Sequence, residues 1–312
     1  MLKKYYWEND NHRISNEVFI MNKTNIGIVI LNYIAYKETI SLTNQFLNLP
    51  QNEINLRIII VDNCSPNCSF VNLEKQYQKS SIVSVVQTPH NIGFANGNNF
   101  GYKALRQFMD PDYVIFSNSD IVLKDNDLFK WIINNYEQYH FGILGPSIYS
   151  LRTKIHQNPC ENWSESIKYN YKLLKRMKWA RLKLKLHLLF SPLIKENIPR
   201  QQVLVDSVKY KKFTTSKTLH GAFLIMSSLY LKEFEQPFDT GTFLYMEEAI
   251  LKLRCDKKNI LMLFSPTYEV NHLQATSTQK VSNSVLKRQL IRRNCEIDSL
   301  KRYINILKEE QK

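Results

Sequence analysis

Short apolar runs, each ended abruptly by polar residues, alternate along the first half of the chain with stretches of helical spacing. Residues 26–31, Ile-Gly-Ile-Val-Ile-Leu, form a continuous run rich in β-branched side chains, the signature of a strand buried on both faces. The pattern repeats at 56–61 (Leu-Arg-Ile-Ile-Ile-Val), at 82–86 and at 113–118 (Tyr-Val-Ile-Phe-Ser-Asn). Between these runs, residues 37–49, 70–79, the stretch through Phe108 and residues 126–139 space their apolar positions as helices do. Strands that alternate with helices predict a mostly parallel α/β sheet with right-handed crossovers. In such a sheet ligands bind outside the carboxyl ends of the strands. Asn32, Asp62, Asn91 and Asp120, which follow four successive strands, are therefore expected on one rim.

Residues 150–215 break the alternation. From Lys168 to His187 basic residues interleave with Tyr169, Tyr171, Met177, Trp179 and several leucines. The first half is helical in period, whereas Arg181 to Leu186 alternates as a strand would, so the pattern does not predict one continuous helix. An apolar strand is expected over 218–231, a helix from Glu247 to about Lys258, a short strand at 261–264 followed by the separate segment 266–270, and a helix over about 283–310. The organisation is thus a polar segment (1–24), one domain (25–282) with a basic insertion (150–215), and a C-terminal helix (283–312).

Charge sharpens this picture. The 312 residues hold 42 Lys+Arg against 28 Asp+Glu, a net charge of +14, which suits an anionic partner. The basic, aromatic-containing insertion reads as an element that lies on an anionic membrane surface; the alternative is a solvated positive face. No recognition-helix, zinc-finger or RNA-binding signature supports nucleic acid as the partner. Five scattered cysteines fit free thiols in a reducing compartment. With no apolar leader at the N-terminus and no run long enough to span a bilayer, a cytoplasmic location at the inner face of the membrane is expected.

The chemistry-bearing residues cluster at strand ends. Asp120 follows a buried strand, where a carboxylate can hold a divalent cation and the cation a phosphate. Asn91, Gly93, Gly97 and Asn98 fall in a stretch read as a loop before a helix, where glycine lets backbone approach a ligand and helix N–H groups favour phosphate. The stretch matches neither a Walker loop nor GxGxxG, so ATP and NAD are not implied.

Taken together these pieces resemble the family 2 inverting glycosyltransferases with a GT-A type nucleotide-sugar-binding domain, in particular the bacterial rhamnosyl-, galactofuranosyl- and surface-polysaccharide transferases. The likeness rests on Ile28-Val-Ile-Leu-Asn-Tyr33, Ile60-Val-Asp-Asn63, Asn91-Ile-Gly-Phe-Ala-Asn-Gly-Asn-Asn99, Asn118-Ser-Asp120, Gly221-Ala-Phe-Leu-Ile225, Phe238-Asp239, Phe243-Leu-Tyr-Met-Glu-Glu248, Arg254, and His272 with Ser277. The resemblance implies transfer of a sugar from a UDP- or dTDP-sugar to a lipid-linked glycan acceptor, assisted by Mn²⁺ or Mg²⁺. It implies Asp120 and His272 as metal ligands, Glu248 as general base with Glu247 beside it, and Asn32, Tyr33, Asp62 and Asn118 around the nucleotide. Bland alternatives are a turn-capping Asp62, a surface His272 and a Glu247–Glu248 pair that merely places negative charge at a helix N-terminus. The chain departs from the family at Asn118, Thr240, Glu248 and Ile250, where acids, or Asp in place of Glu248, are usual. Those departures leave an inactive nucleotide-sugar- or lipid-binding scaffold of the same fold as the alternative.

Overall fold

The sheet is built on β1 (Thr24–Asn32), whose residues Ile26, Ile28 and Ile30 point to one face and Val29 to the other, all fully buried. The computed structural model describes residues 23–190, 209–274 and 285–310; most of the polar N-terminal segment, part of the basic insertion, Ser277 and the first residues of the expected C-terminal helix lie outside them. The strands that follow are β2 (Ile54–Asp62), β3 (Val83–Gln87), β4 (Tyr113–Asn118), β5 (Ile121–Leu123), β6 (Ile143–Ser150), β7 (Phe223–Ser227) and β8 (Met262–His272). Their spatial order is β3-β2-β1-β4-β7-β6-β8-β5. The first four in that order are mutually parallel, whereas β7 runs antiparallel to β4 and β6. β8 returns parallel to β6 and carries β5 antiparallel on its edge.

Helices α1 (Tyr36–Leu47), α2 (Ser69–Tyr77) and α4 (Leu128–Tyr139) cover the face onto which Ile28, Ile58 and Ile115 project. Helix α3 (Gly93–Leu105) covers the other face, packing on Val29, Val61 and Phe116. Gly101 makes that approach possible, because a Cβ there would lie 2.5 Å from Val29 Cγ1 and 2.6 Å from Val61 Cγ2. A third core joins α5 (Ile167–Phe190), α7 (Glu247–Lys257) and α8 (Val285–Glu309) through Leu174, Met177, Ile250, Leu253, Ile297 and Leu300.

Three expectations are corrected. Residues 167–190 form one helix, α5, with no strand at 181–186. Leu182 and Leu186, whose alternation suggested a strand, lie exposed on its outer side, while Leu174 and Met177 anchor the helix in the third core. The apolar run 218–231 is a strand only over β7; Ser228–Leu231 turns into the short helix α6. The segments at 261–264 and 266–270 are one strand, β8, interrupted by a register shift where Pro146–Ser147 pairs with Ser265 and Glu269.

Candidate active site

Two strand ends and one loop are knotted together at the rim. The Asp62 carboxylate, wholly buried, takes four donors: Asn32 Nδ2 (2.6 Å), Ser65 Oγ (2.6 Å), Ser65 N–H (3.0 Å) and Gln87 Nε2 (3.0 Å). Asp62 thereby fixes the β2 turn, and each of its oxygens already has two protein donors. Next to it Asn63 holds the loop after β3, donating to Asn91 Oδ1 and Gly93 O and accepting from the Ile92 N–H at 3.0 Å. Tyr33 lies partly exposed beside Asn32.

The reading of Gly93, Gly97 and Asn98 as loop residues is corrected: α3 starts at Gly93, so Gly97 and Asn98 lie within the helix. Gly93 has φ +84, and a Cβ there would meet the Phe243 backbone at 2.3 Å, so only glycine fits. Gly97 faces Leu31, and the Asn98 amide, almost wholly buried, donates to Phe94 O at 3.0 Å. Asn91, by contrast, stands at the open side of the helix start, where its Oδ1 also accepts from the Gly93 N–H.

Beyond β4 the chain turns at Asn118-Ser-Asp120. The Asp120 backbone carbonyl accepts from Leu273 N–H at 2.9 Å, which locks the turn to the end of β8 and brings His272 alongside. His272 Nε2 lies 3.2 Å from Asp120 Oδ1, and its Nδ1 lies 2.7 Å from Gln157 Oε1. An amide oxygen only accepts, so Nδ1 donates toward Gln157, and Nε2 is the ring nitrogen that faces the carboxylate. A carboxylate oxygen and an imidazole nitrogen at this distance share either a proton or a cation between them. One carboxylate and one imidazole fit a divalent ion whose other positions go to water and phosphate oxygens. The protein's share stops there, because among the described residues no three His, Cys, Asp or Glu side chains converge on one metal position.

His220 stands beside His272 and directly precedes Gly221, whose N–H binds Glu248 of α7. Its ring meets His272 edge-on with centroids 6.0 Å apart, and its Nδ1 accepts from Ala222 N–H at 3.1 Å. Burial pushes its pKa down, while the charges of Glu248 and Asp120 pull it up, so His220 lies within reach of both carboxylates' fields.

The loop that delivers Glu247 and Glu248 is strained. Tyr245 (φ 75) and Met246 (φ 71) are consecutive non-glycine residues in left-handed conformation, each of which costs roughly 1–3 kcal/mol unless its surroundings enforce it. Helix α8 supplies that enforcement. Arg302 grips Asp239 with two hydrogen bonds, Nε to Oδ1 at 2.9 Å and Nη2 to Oδ2 at 2.8 Å. Ser299 Oγ donates to Leu244 O at 2.8 Å, and the Arg292 guanidinium lies 5.5 Å from the centre of the Tyr245 ring. The turn then points the two glutamates differently. Glu247 is buried, with Oε1 lacking any hydrogen-bond partner, and burial followed by the Glu248 charge pushes its pKa up to about 8. Glu248 faces outward: its Oε1 accepts from Gly221 N–H at 3.1 Å, and it borders a cavity of about 480 Å³.

Sequence reasoning singled out neither His220 nor Gln157, Asn63 and Arg302. Asn63 closes a quoted motif and His220 adjoins one, though neither was given a role; Gln157 and Arg302 carry no local signal, since their partners lie 115 and 63 residues away.

A mostly parallel α/β sheet with β7 antiparallel within it, and carboxylates just after β4 and at the start of α7, is the arrangement of a GT-A type fold. Residues 28–191, just over half of the chain, match the model of glycosyl transferase family 2, and the chain belongs to that family. No curated protein is similar enough to the chain to be matched. Among solved structures the chain is similar to S. aureus TarS 1-349, with 15% identity, a TM-score of 0.48, and coverage of 80% of this chain and 60% of that one. It is also similar to TarS 1-349 in complex with UDP-GlcNAc, with 14% identity, a TM-score of 0.49, and coverage of 86% and 66%. The chain thus spans less than two thirds of the length of these solved relatives.

Proposed function

We propose that this chain is a metal-dependent inverting glycosyltransferase that moves a sugar from a UDP- or dTDP-sugar to a lipid-linked glycan in bacterial surface-polysaccharide synthesis. The observation that carries the reading is one juxtaposition: the Asp120–His272 pair and the outward carboxylate of Glu248 flank the same two consecutive residues, His220 and Gly221. Transfer with inversion needs one charged end for the departing diphosphate and one base for the incoming hydroxyl. Asp120 and His272 hold the Mn²⁺ or Mg²⁺, which when bound neutralises charge on the leaving diphosphate. The nucleoside lies over the turn built by Asn32, Tyr33 and Asp62, with Asn91 and Asn118 at its edge. Glu248, kept in place by the Gly221 N–H, removes the acceptor's proton as the hydroxyl attacks from the opposite side of the donor sugar. Glu247, neutral around pH 7, adds no second charge beside it.

A panel of nucleotides and nucleotide sugars, scored by thermal stabilisation with and without Mn²⁺, tests this. A UDP- or dTDP-sugar is expected to raise the melting temperature only when the metal is present, and to be turned over. Absence of stabilisation by every nucleotide overturns the reading; stabilisation without turnover by any donor–acceptor pair favours the inactive scaffold.

The lipid-linked acceptor is supported by α5. The helix carries eight Lys and Arg and no acid, and exposes Trp179, Leu182 and Leu186 along one stripe. Among the described residues no helix is long and apolar enough to cross a membrane, so the contact proposed is in-plane, at the inner face of the cytoplasmic membrane. Each basic residue near an anionic leaflet contributes about 1 kcal/mol. Replacing Lys172, Lys175, Arg176 and Lys178 by Gln is expected to weaken binding to phosphatidylglycerol vesicles by ~100-fold or more. Unchanged cosedimentation removes α5 as the anchor.

A further inference from the structure

The second half of the asparagine-rich motif, Asn96-Gly-Asn-Asn99, lies inside α3 and commits its side-chain amides to the chain itself. Asn99 is buried, and its amide closes a pair of hydrogen bonds with the backbone of one residue. Nδ2 donates to Phe238 O and Oδ1 accepts from the Phe238 N–H, both at 2.9 Å. The same Nδ2 donates to Gln236 Oε1 at 3.0 Å. Asn96 Nδ2 donates to Thr240 O at 3.2 Å, and the Phe94 N–H to Phe243 O at 2.8 Å. The buried Phe238 ring stands edge-on to Phe94 and Phe116, with centroids 5.5 and 5.0 Å away, so this corner of the chain is pinned to α3 and β4.

The next residue is gripped by two other helices. Asp239, which takes both hydrogen bonds of Arg302 from α8, also accepts from the Gly241 N–H at 2.9 Å. Arg254 Nη2 of α7 lies 3.6 Å from Asp239 Oδ2, and its Nη1 donates to Gln236 O at 3.1 Å. Gly241 leaves room for the arginine stem from α8, because a Cβ there would lie 2.5 Å from Arg302 Cδ. The corner Phe238-Asp239 thus joins α3, α7 and α8, and the segment that leaves it runs into the strained turn Tyr245–Met246 and then Glu247 and Glu248. Helix α3 also begins at the nucleotide rim, where Asn63 and Asn91 hold Gly93. From Gly93 to Asn99 the helix rises only ~9 Å, so one rigid element carries the rim at its start and the corner less than two turns later.

We infer that Asn99 and Arg302 are positioning residues for Glu248: they fix the Phe238-Asp239 corner, and the corner fixes the turn that presents the carboxylate. Both act through backbone rather than at the reacting atoms. The inference rests on Glu248 being the base of the transferase reading. Loss of the Asn99 amide leaves the Phe238 N–H and C=O unpaired among buried aromatic rings, which favours a shifted corner. A displacement of about 1 Å at a reacting group costs ~10²-fold in rate.

The test compares Asn99→Leu and Arg302→Met with the milder Asn99→Ser and Arg302→Lys. It measures UDP binding with Mn²⁺, the release of UDP or dTDP from UDP-glucose, UDP-galactose, UDP-N-acetylglucosamine and dTDP-rhamnose, and amide hydrogen exchange over residues 238–248. In Asn99→Leu and Arg302→Met, kcat is expected to fall by ~10²-fold, with donor KM and UDP affinity within threefold of the parent. That split separates a lost catalytic arrangement from lost binding. Exchange is expected to rise over 238–248 and to stay unchanged over β1 and β2. Arg302→Lys keeps one donor for Asp239 and Asn99→Ser a hydroxyl beside Phe238, so both retain an intermediate kcat; they carry the test if the larger changes prevent folding. A kcat within threefold of the parent in either larger variant, a loss of UDP binding that matches the loss of turnover, or unchanged exchange over 238–248 overturns the inference. If the parent releases nucleotide from no donor, the transferase reading fails instead, and hydrogen exchange alone decides whether the corner holds the turn.

Discussion

Glu248→Gln is expected to lower sugar transfer by ~10²–10⁴-fold, the range that a positioned general base commands, with nucleotide binding and melting temperature close to those of the parent. The reasoning is local. Gln keeps the shape of the side chain and an oxygen for the Gly221 N–H, whose bond to Oε1 spans 3.1 Å, so the loop is undisturbed. What disappears is the basic carboxylate. Glu247→Gln gives the contrasting result. Glu247 is buried with its pKa pushed up to about 8, whereas an unfolded Glu titrates near ~4.3. The folded chain thus holds an extra proton between those values. The stability tied to that proton is fully present below ~4.3 and is lost as pH rises toward 8, by an amount on the order of a few kcal/mol. Melting temperature measured from pH 5 to 8.5 therefore falls more steeply in the parent than in Glu247→Gln, and transfer by Glu247→Gln survives. Should Glu248→Gln transfer sugar at the parental rate, the base lies elsewhere; should Glu247→Gln be the dead variant, the two glutamates exchange roles.

The strands were legible because burial on both faces leaves a run such as Ile58-Ile-Ile-Val61 with no polar position to disguise it. Helix α5 was not, since Leu182, Leu184 and Leu186 alternate among lysines, and only packing of Leu174 and Met177 against α7 and α8 settles that they ride on a helix. The polar turn Asn118-Ser-Asp120 could be read from strand-end chemistry alone. Its neighbours could not: His220 reaches the site because β7 runs antiparallel to β4, a reversal that no local pattern announces. Asp62 shows the opposite limit. A carboxylate at a strand end can bind a nucleobase or close a turn, and the four protein donors around it become visible only once Ser65 and Gln87 are folded onto it. The strained pair Tyr245–Met246 lies in a quoted motif, yet what holds it there, Arg302, comes from a helix near the end of the chain.

Asp120→Ala is expected to abolish metal-dependent nucleotide stabilisation. With the carboxylate gone, His272 alone would face the proposed metal position, and an imidazole without a charged co-ligand is a weak site for Mn²⁺ and a poorer one for Mg²⁺. A nucleotide at 100 times its dissociation constant stabilises a folded chain by about 2.7 kcal/mol. That increment, present in the parent with Mn²⁺ and removed by EDTA, is expected to vanish in Asp120→Ala with or without metal. Asp120→Asn separates charge from shape, because it preserves the volume and the backbone contact to Leu273 N–H (2.9 Å) but takes away the negative oxygen that faces His272 Nε2 at 3.2 Å. Both variants should therefore behave alike. His272→Gln, which keeps a polar side chain opposite Gln157, should leave Asp120 a partial site with intermediate metal dependence. If Asp120→Asn binds nucleotide as tightly as the parent and still responds to Mn²⁺, the cation sits somewhere other than between these two side chains, and the diphosphate end of the site has to be moved with it.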